Sequence, residues 1–181
     1  MRKTKKPSKD FFDQFFKHSK ELGTPFQSSK YLVRAVAREV VGLNVIELGA
    51  GHGPITRGIL AYHPNVRLTA FEINHKLLEH LAQIQDPRLT IVRESAENFL
   101  DYVNGLDSID CIVSGLPLTS MPKSVVEKIL ESSRKSQRYI QYKYFPEKRL
   151  LENYFDHIKA KIVWRNIPPA LVYVCSNNGS N

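Results

Sequence analysis

Glu47, Gly49, Gly51 and Gly53 stand at alternate positions in the stretch VIELGAGHGP. Glycine forfeits more conformational freedom on folding than any other residue, so this cluster marks a sharp turn or a backbone lying against a ligand. An apolar run precedes it and a helical pattern follows, the order found in the first unit of a nucleotide-binding α/β sheet. Dinucleotide sites place a third glycine at the end of G-x-G-x-x-G, where helix and strand close near a pyrophosphate. Here Pro54 stands at that place. A carboxylate leading the loop is a poor neighbour for phosphates and suits a ligand that carries positive charge.

S-adenosylmethionine, with a sulfonium, an ammonium and no phosphate, meets that requirement. Its expected contacts are Glu47, Gly49, Ala50, Gly51 and Gly53, with Ser114 at the end of a later strand. The next strand ends in TAFEI, which places Glu72 to accept bonds from ribose hydroxyls, with Ile73 beside it. A third strand ends in RESAEN, which sets Ser95 and Ala96 next to the adenine. An acid on the ribose also serves NAD enzymes. The leading glutamate and its glycines therefore distinguish this loop from an NAD site.

Those residues need a scaffold, and the pattern supplies one. From Asn44 onward, strand-like and helix-like runs alternate: NVIELGA, GPITRGILAYH, VRLTAFEI, NHKLLEHLAQI, RLTIVRE, AENFLDYV, SIDCIVSGL, PKSVVEKILESSRK and RYIQYKYF. The central strands are apolar on both faces, as expected where helices cover a parallel sheet. A short helix near PEKRLLENYF follows. HIKAKIVWRNI and ALVYVCS then form two strands whose link is too short for a crossover helix, so they pair antiparallel. Upstream, Ser28 or Ser29 caps a helix through KYLVRAVAREVV.

The composition is that of a globular chain of 181 residues, with 42% hydrophobic and 24% charged residues. No apolar run reaches the roughly 18 residues of a spanning helix. The first residues lack the apolar core of a secretory signal, and a cytoplasmic protein is expected. Cys111 and Cys175 fall in apolar strands as buried reduced thiols, and the histidines show no metal-ligand spacing, so no metal is expected. Net charge is +8, which points to an anionic partner. The excess lies at the front, in Arg2, Lys3, Lys5, Lys6, Lys9, Lys17 and Lys20. At helical spacing Phe11, Phe15 and Leu22 share a face, flanked by Phe12 and Phe16. Such a helix suits a membrane interface, and equally suits packing on the protein's own core. Residues 1–27 are thus expected as a basic tail and amphipathic helix, and 28–181 as the α/β domain.

Taken together, the Glu-Gly-Gly-Gly loop, Glu72 and the terminal antiparallel pair resemble a class I S-adenosylmethionine-dependent methyltransferase over residues 28–176. That resemblance implies a Rossmann-like, mostly parallel sheet of seven strands in the order 3-2-1-4-5-7-6, strand 7 antiparallel, flanked by helices. It also implies that the end of the fourth strand faces the transferred methyl, and here that end reads DCIVSGLPLTSMP. Adenine-N6 methyltransferases, including rRNA adenine dimethylases, carry N-L-P-Y or D-P-P-Y at this place. Their Asn or Asp bonds the amine, and their aromatic stacks on the flipped base. In this chain Gly115 and Leu118 replace those two groups. Stacking alone is worth about 1–3 kcal/mol per base.

SGLPL instead resembles the bacterial, soluble type of phosphatidylethanolamine N-methyltransferase, as do GTPFQSSKYLVRAV, IQYKYFP and NIPPALVYV. This family usually has Pro-Ser-Ser where the chain has Gln27-Ser28-Ser29, and often an acid where Ser95 stands. The resemblance implies a phospholipid substrate on an anionic membrane surface, at the inner face of the cell membrane. It implies cofactor contact from Ser29 and catalytic positions at Tyr31, Ser114, Leu116, Pro117 and Tyr144. RNA is the alternative partner, with rRNA adenine-N6 methylation the alternative reaction. Tyr142, Tyr144 or Phe145 could hold a methylated ammonium by cation–π attraction, and could equally be core residues of the fifth strand.

Overall fold

Seven strands build one sheet: β1 Asn44–Leu48, β2 Arg67–Phe71, β3 Leu89–Val92, β4 Cys111–Ser114, β5 Arg138–Lys143, β6 His157–Val163 and β7 Ala170–Ser176. The computed structural model describes residues 28–103 and 108–178. The expected amphipathic helix of residues 1–27 lies outside them. The strand order is β3-β2-β1-β4-β5-β7-β6. β1, β2, β3, β4 and β5 pair in parallel, while β7 runs antiparallel to both β5 and β6. This is the order and polarity that the sequence resemblance implies.

The helices follow from local signals. Ser29 caps α1 (Lys30–Ala37), its hydroxyl accepting from Leu32 N at 3.3 Å. α2 (Pro54–Tyr62) begins with proline, whose fixed φ suits a first helical position, directly after left-handed Gly53. Asn74 caps α3 (His75–Leu81). α4 (Lys123–Ser133) and the short α5 (Lys148–Leu151) complete the set. The expected helix AENFLDYV is instead a 3-10 segment, Ala96–Tyr102. Its inward residues explain the difference. Ala96 and Phe99 are buried and Tyr102 lies edge-on to Phe71, a spacing of three that matches the tighter helix.

One apolar cluster covers each face of the sheet. Leu32, Val36, Val45, Ile55, Ile59 and Val113 pack under α1 and α2. Ile46, Leu48, Phe99, Ile112, Ile129 and Tyr139 pack under the 3-10 segment and α4. β1 and β4 are buried at every residue, as strands with covered faces must be. Cys111 and Cys175 are free and buried in this core, and burial pushes both thiols up to about 12. Asp110 joins the starts of β1 and β4, accepting from Leu43 N and Asn44 N at 2.8 Å each. The strand ends that carry the glycine loop, Ser114 and Lys143 therefore lie side by side on a rigid edge.

Candidate active site

The glycine loop leaves β1 in a conformation that only glycine adopts easily. Gly49, Gly51 and Gly53 have φ of 76°, 60° and 80°. Gly49 N and Ala50 N both donate to Phe71 O, at 2.9 and 3.1 Å, which folds the loop over the end of β2. A Cβ on Gly49 would lie 2.9 Å from Leu116 Cδ2, and one on Gly53 would lie 2.7 Å from Ile84 Cδ1. A Cβ on Gly51 would meet nothing within 4 Å. Two glycines are thus needed for packing. The third borders open space.

Glu47 is fully buried below this loop. Its Oε2 accepts from Thr56 Oγ1 at 2.7 Å, while Oε1 has no hydrogen-bond partner. Burial lifts the carboxyl from its ordinary value to about 8, and the Glu72 charge adds to the lift against the Thr56 bond. Buried acceptors are rarely left without a partner, so Oε1 marks a place for a donor. Glu72, at the end of β2, accepts from Gly51 N at 2.8 Å, Ile73 N at 2.9 Å and Asn74 N at 2.8 Å. The Gly51 bond ties down the middle of the loop, the other two fix the turn after β2, and together they leave about one of the carboxylate's four acceptor directions free. Burial again raises this carboxyl, opposed by the three backbone donors. Ser95 precedes the 3-10 segment without capping it, and Ala96 is buried at its start. An unsatisfied buried carboxylate beside open glycine backbone fits a ligand with cationic and donor groups, such as S-adenosylmethionine.

The stretch after β4 forms the facing wall. In register Ser114 pairs with Gln141, which puts Gly115 beside Tyr142. A Cβ on Gly115 would collide with the Tyr142 hydroxyl and ring. The space that a base-binding Asn would use is taken by a phenol from β5. Leu118 is buried in the core cluster under α4, where it has no face to offer a base. Ser114, Leu116 and Pro117 are buried too. Leu116 N donates to Ser114 Oγ at 3.3 Å, and Gln141 Nε2 donates to Leu116 O at 3.0 Å. Glu147 secures the far end: its Oε1 accepts from Thr119 N at 3.3 Å and pairs with Lys143 Nζ at 3.1 Å. Thr56, Gln141 and Glu147 are positioning residues that sequence reasoning missed. Each acts on a partner on a different element, so no local spacing reveals it.

The remaining candidates divide into separate groups. The Tyr142 hydroxyl is pushed well up by burial, with the Glu47 and Glu72 charges adding to it. Tyr144 is also raised by burial, while hydrogen bonds to Asn166 and Ser28 oppose that rise. Asn166 is fully buried; its Oδ1 accepts from Ser29 N at 2.9 Å and its Nδ2 donates to Pro168 O at 2.7 Å. Ser29 and Tyr144 therefore meet at the β6–β7 turn, through an asparagine the sequence did not single out. Phe145 points to solvent, so the three aromatics near the end of β5 do not close into one box. Tyr31 lies on α1 with Arg165 Cζ 5.2 Å and Lys30 Nζ 5.4 Å from its ring centre.

The sheet order and the loop geometry define the fold of class I S-adenosylmethionine-dependent methyltransferases. Solved structures agree: precorrin-6y C5,15-methyltransferase from Geobacter metallireducens superposes with a TM-score of 0.69 at 14% identity, covering 86% of this chain and 91% of that one. TrmK of M. capricolum, in complex with S-adenosyl-homocysteine, gives 0.65 at 15% identity over 84% and 70%. No family model matches the sequence. The ornithine lipid N-methyltransferase of Singulisphaera acidiphila is 30% identical over 185 residues, covering 92% of this chain and 96% of its own length. The chain belongs to the family of that enzyme, within the S-adenosylmethionine-dependent methyltransferases. Ribosomal RNA small subunit methyltransferase A of Wolbachia pipientis is 38% identical over 110 residues, 56% of this chain and 40% of that protein.

Proposed function

We propose that this methyltransferase acts on the amine of a membrane lipid, with S-adenosylmethionine held by the Glu47 loop. The observation that carries the substrate class is the filled wall after β4, where Tyr142 backs Gly115 and Leu118 is buried. An adenine amine would find neither an amide to bond nor a ring to stack on. The similar enzyme of Singulisphaera acidiphila is by name a lipid N-methyltransferase. Ornithine lipid and phosphatidylethanolamine share the required chemistry, a primary amine on an amphiphile.

The cofactor supplies an electrophilic methyl group. Glu47 Oε1 is the free acceptor for its donor groups, and the last acceptor direction of Glu72 serves the ribose, with Ile73 beside it. Gly51 and Ala50 give backbone approach, Ser29 closes the rim, and Ser95 and Ala96 flank the base. Ser114, Leu116 and Pro117 exclude water from the side on which the amine arrives. Positioning and desolvation do most of the work in such a transfer. The amine must arrive neutral. Tyr142 and Tyr144, held above their ordinary range, keep their protons near pH 7, so they orient the amine through oxygen lone pairs and do not deprotonate it. Solvent water takes that proton before the amine enters.

The test supplies a labelled methyl donor with vesicles containing ornithine lipid, vesicles containing phosphatidylethanolamine, and ribosomal RNA. Label in a lipid amine is expected, and the two vesicle arms identify the headgroup. Label at adenine N6 with none in either lipid would overturn the proposal and favour the reading supported by the partial likeness to the ribosomal RNA enzyme.

A further inference from the structure

Beyond the site itself, the β6–β7 turn and the adjoining face of α1 carry exposed apolar and cationic side chains together. Three large apolar side chains stand out from the sheet edge that carries the glycine loop: Ile167 is 90% exposed, Phe145 75% and Trp164 72%. Isolated exposed apolar residues need no explanation, but a group at one rim does. The turn is not loose. Asn166 at its centre is fully buried and bonded to Ser29 N and Pro168 O. The apolar tips are therefore presented by a fixed backbone.

Beside them runs a groove of about 370 Å³ between α1 and β6, bordered by Tyr31, Arg34, Arg38, Lys161, Trp164 and Arg165. The four cations are exposed, and none belongs to an ion pair among the described residues. Arg165 leans on the Tyr31 ring, which holds its guanidinium at the surface. Tryptophan and tyrosine prefer the level of lipid headgroups, and unpaired Lys and Arg next to them favour an anionic leaflet. A protein partner would be expected to bring acids to these cations. It would not also require three splayed apolar tips at the mouth of a lipid-processing site.

We infer that the β6–β7 turn docks the enzyme on an anionic bilayer, with Trp164, Ile167 and Phe145 entering the headgroup region and Arg34, Lys161 and Arg165 facing lipid phosphates, while Arg38, bonded to Tyr62 at the far end of α1, stays away from it. The inference rests on the lipid-amine reading for why this rim meets a membrane. It assigns docking to a surface of the folded domain, independent of the basic residues 1–27. It also orients the molecule, because the docked turn shares its edge with Ser114, Gly115 and the glycine loop.

Trp164 is the chain's single tryptophan, so its emission reports on this turn alone. The full chain is titrated with vesicles of phosphatidylglycerol and phosphatidylcholine, and separately with phosphatidylcholine alone. A blue shift with the anionic vesicles, quenched by bromine-labelled acyl chains, is expected. The pair R34Q and K161Q should weaken vesicle binding about fivefold per charge removed, and I167S should reduce the shift at equal vesicle concentration. Unchanged emission while the protein still co-sediments would overturn the inference and give docking to residues 1–27. Emission that is already blue without lipid would overturn it in favour of cover by the chain's own residues or a second copy. A water-soluble, short-chain phosphatidylethanolamine and its ornithine-lipid counterpart, present as monomers, separate this inference from the reading beneath it. If neither is methylated while Trp164 still shifts, the substrate class fails and docking stands. If either is methylated while Trp164 stays in water with every vesicle, docking fails and the substrate class stands.

Discussion

Glu47 keeps its proton at neutral pH in the folded chain, because burial lifts its carboxyl to about 8. Its folded value exceeds its unfolded one, so between about 4.5 and 8 the folded state binds more protons and stability falls as pH rises through that window. A cationic ligand reverses the preference, since it stabilises the ionised form. Binding of S-adenosylmethionine below pH 8 should therefore expel a proton, and affinity should climb with pH until about 8. Calorimetry in two buffers of different ionisation heat measures this release directly. Glu47→Gln should abolish the release and weaken binding about tenfold, the scale of a hydrogen bond to a charged group. Equal proton release in the variant would place the titrating group elsewhere. The pairing of acid and glycines was legible in the sequence because it is local. That Glu47 leaves one oxygen unpartnered, and that Glu72 accepts from Gly51 N of the loop, depends on contacts between elements and was not.

Among the elements, β4 and β5 share one device that sequence reading could describe only as a loss. Gly115 looked like an absent amide. In the sheet it is the vacancy into which Tyr142 projects, a relation set by the Ser114–Gln141 register. Gly115→Ala should overpack this contact and cost about 1–3 kcal/mol of stability, with lipid methylation reduced further because the wall after β4 shifts. In a Tyr142→Ala background the same Gly115→Ala change should cost much less, and a double-mutant cycle by thermal unfolding measures the coupling. Additive effects would mean that the two residues do not share that space. The alternation of strands and helices was readable because periods of 2 and 3.6 are short-range. The 3-10 segment at Ala96–Tyr102 escaped that reading, since a spacing of three over a single short run resembles the start of an α-helix. Asn166, Gln141 and Glu147 escaped it too, each bonding to a backbone group that only the folded topology brings near.

At the scale of the whole molecule, the glycine loop and the β6–β7 turn share one edge of the sheet. Among the described residues no helix is long and apolar enough to cross a membrane. The overall charge of +8 was visible in composition, yet composition located the excess at the front of the chain. The folded domain adds a second cationic zone on α1 and β6, drawn from residues far apart in sequence, and edge strand β6 keeps its lysines exposed. Exposed lysines also discourage pairing of an edge strand with other chains. These two roles respond differently to salt. Screening shortens the reach of surface charges from about 30 Å at 0.01 M to about 3 Å at 1 M. If the cations serve encounter with an anionic leaflet, methylation of lipid in vesicles should fall steeply as salt rises. The rate on a short-chain monomeric lipid should stay nearly level, because the buried site is shielded. The apparent KM for vesicles should carry the change and kcat should not, as expected when the initial partition weakens and the chemistry is untouched. If the lysines only guard the edge, both substrates should show the same shallow salt profile, and aggregation of a K159T and K161T variant would be the measurable consequence.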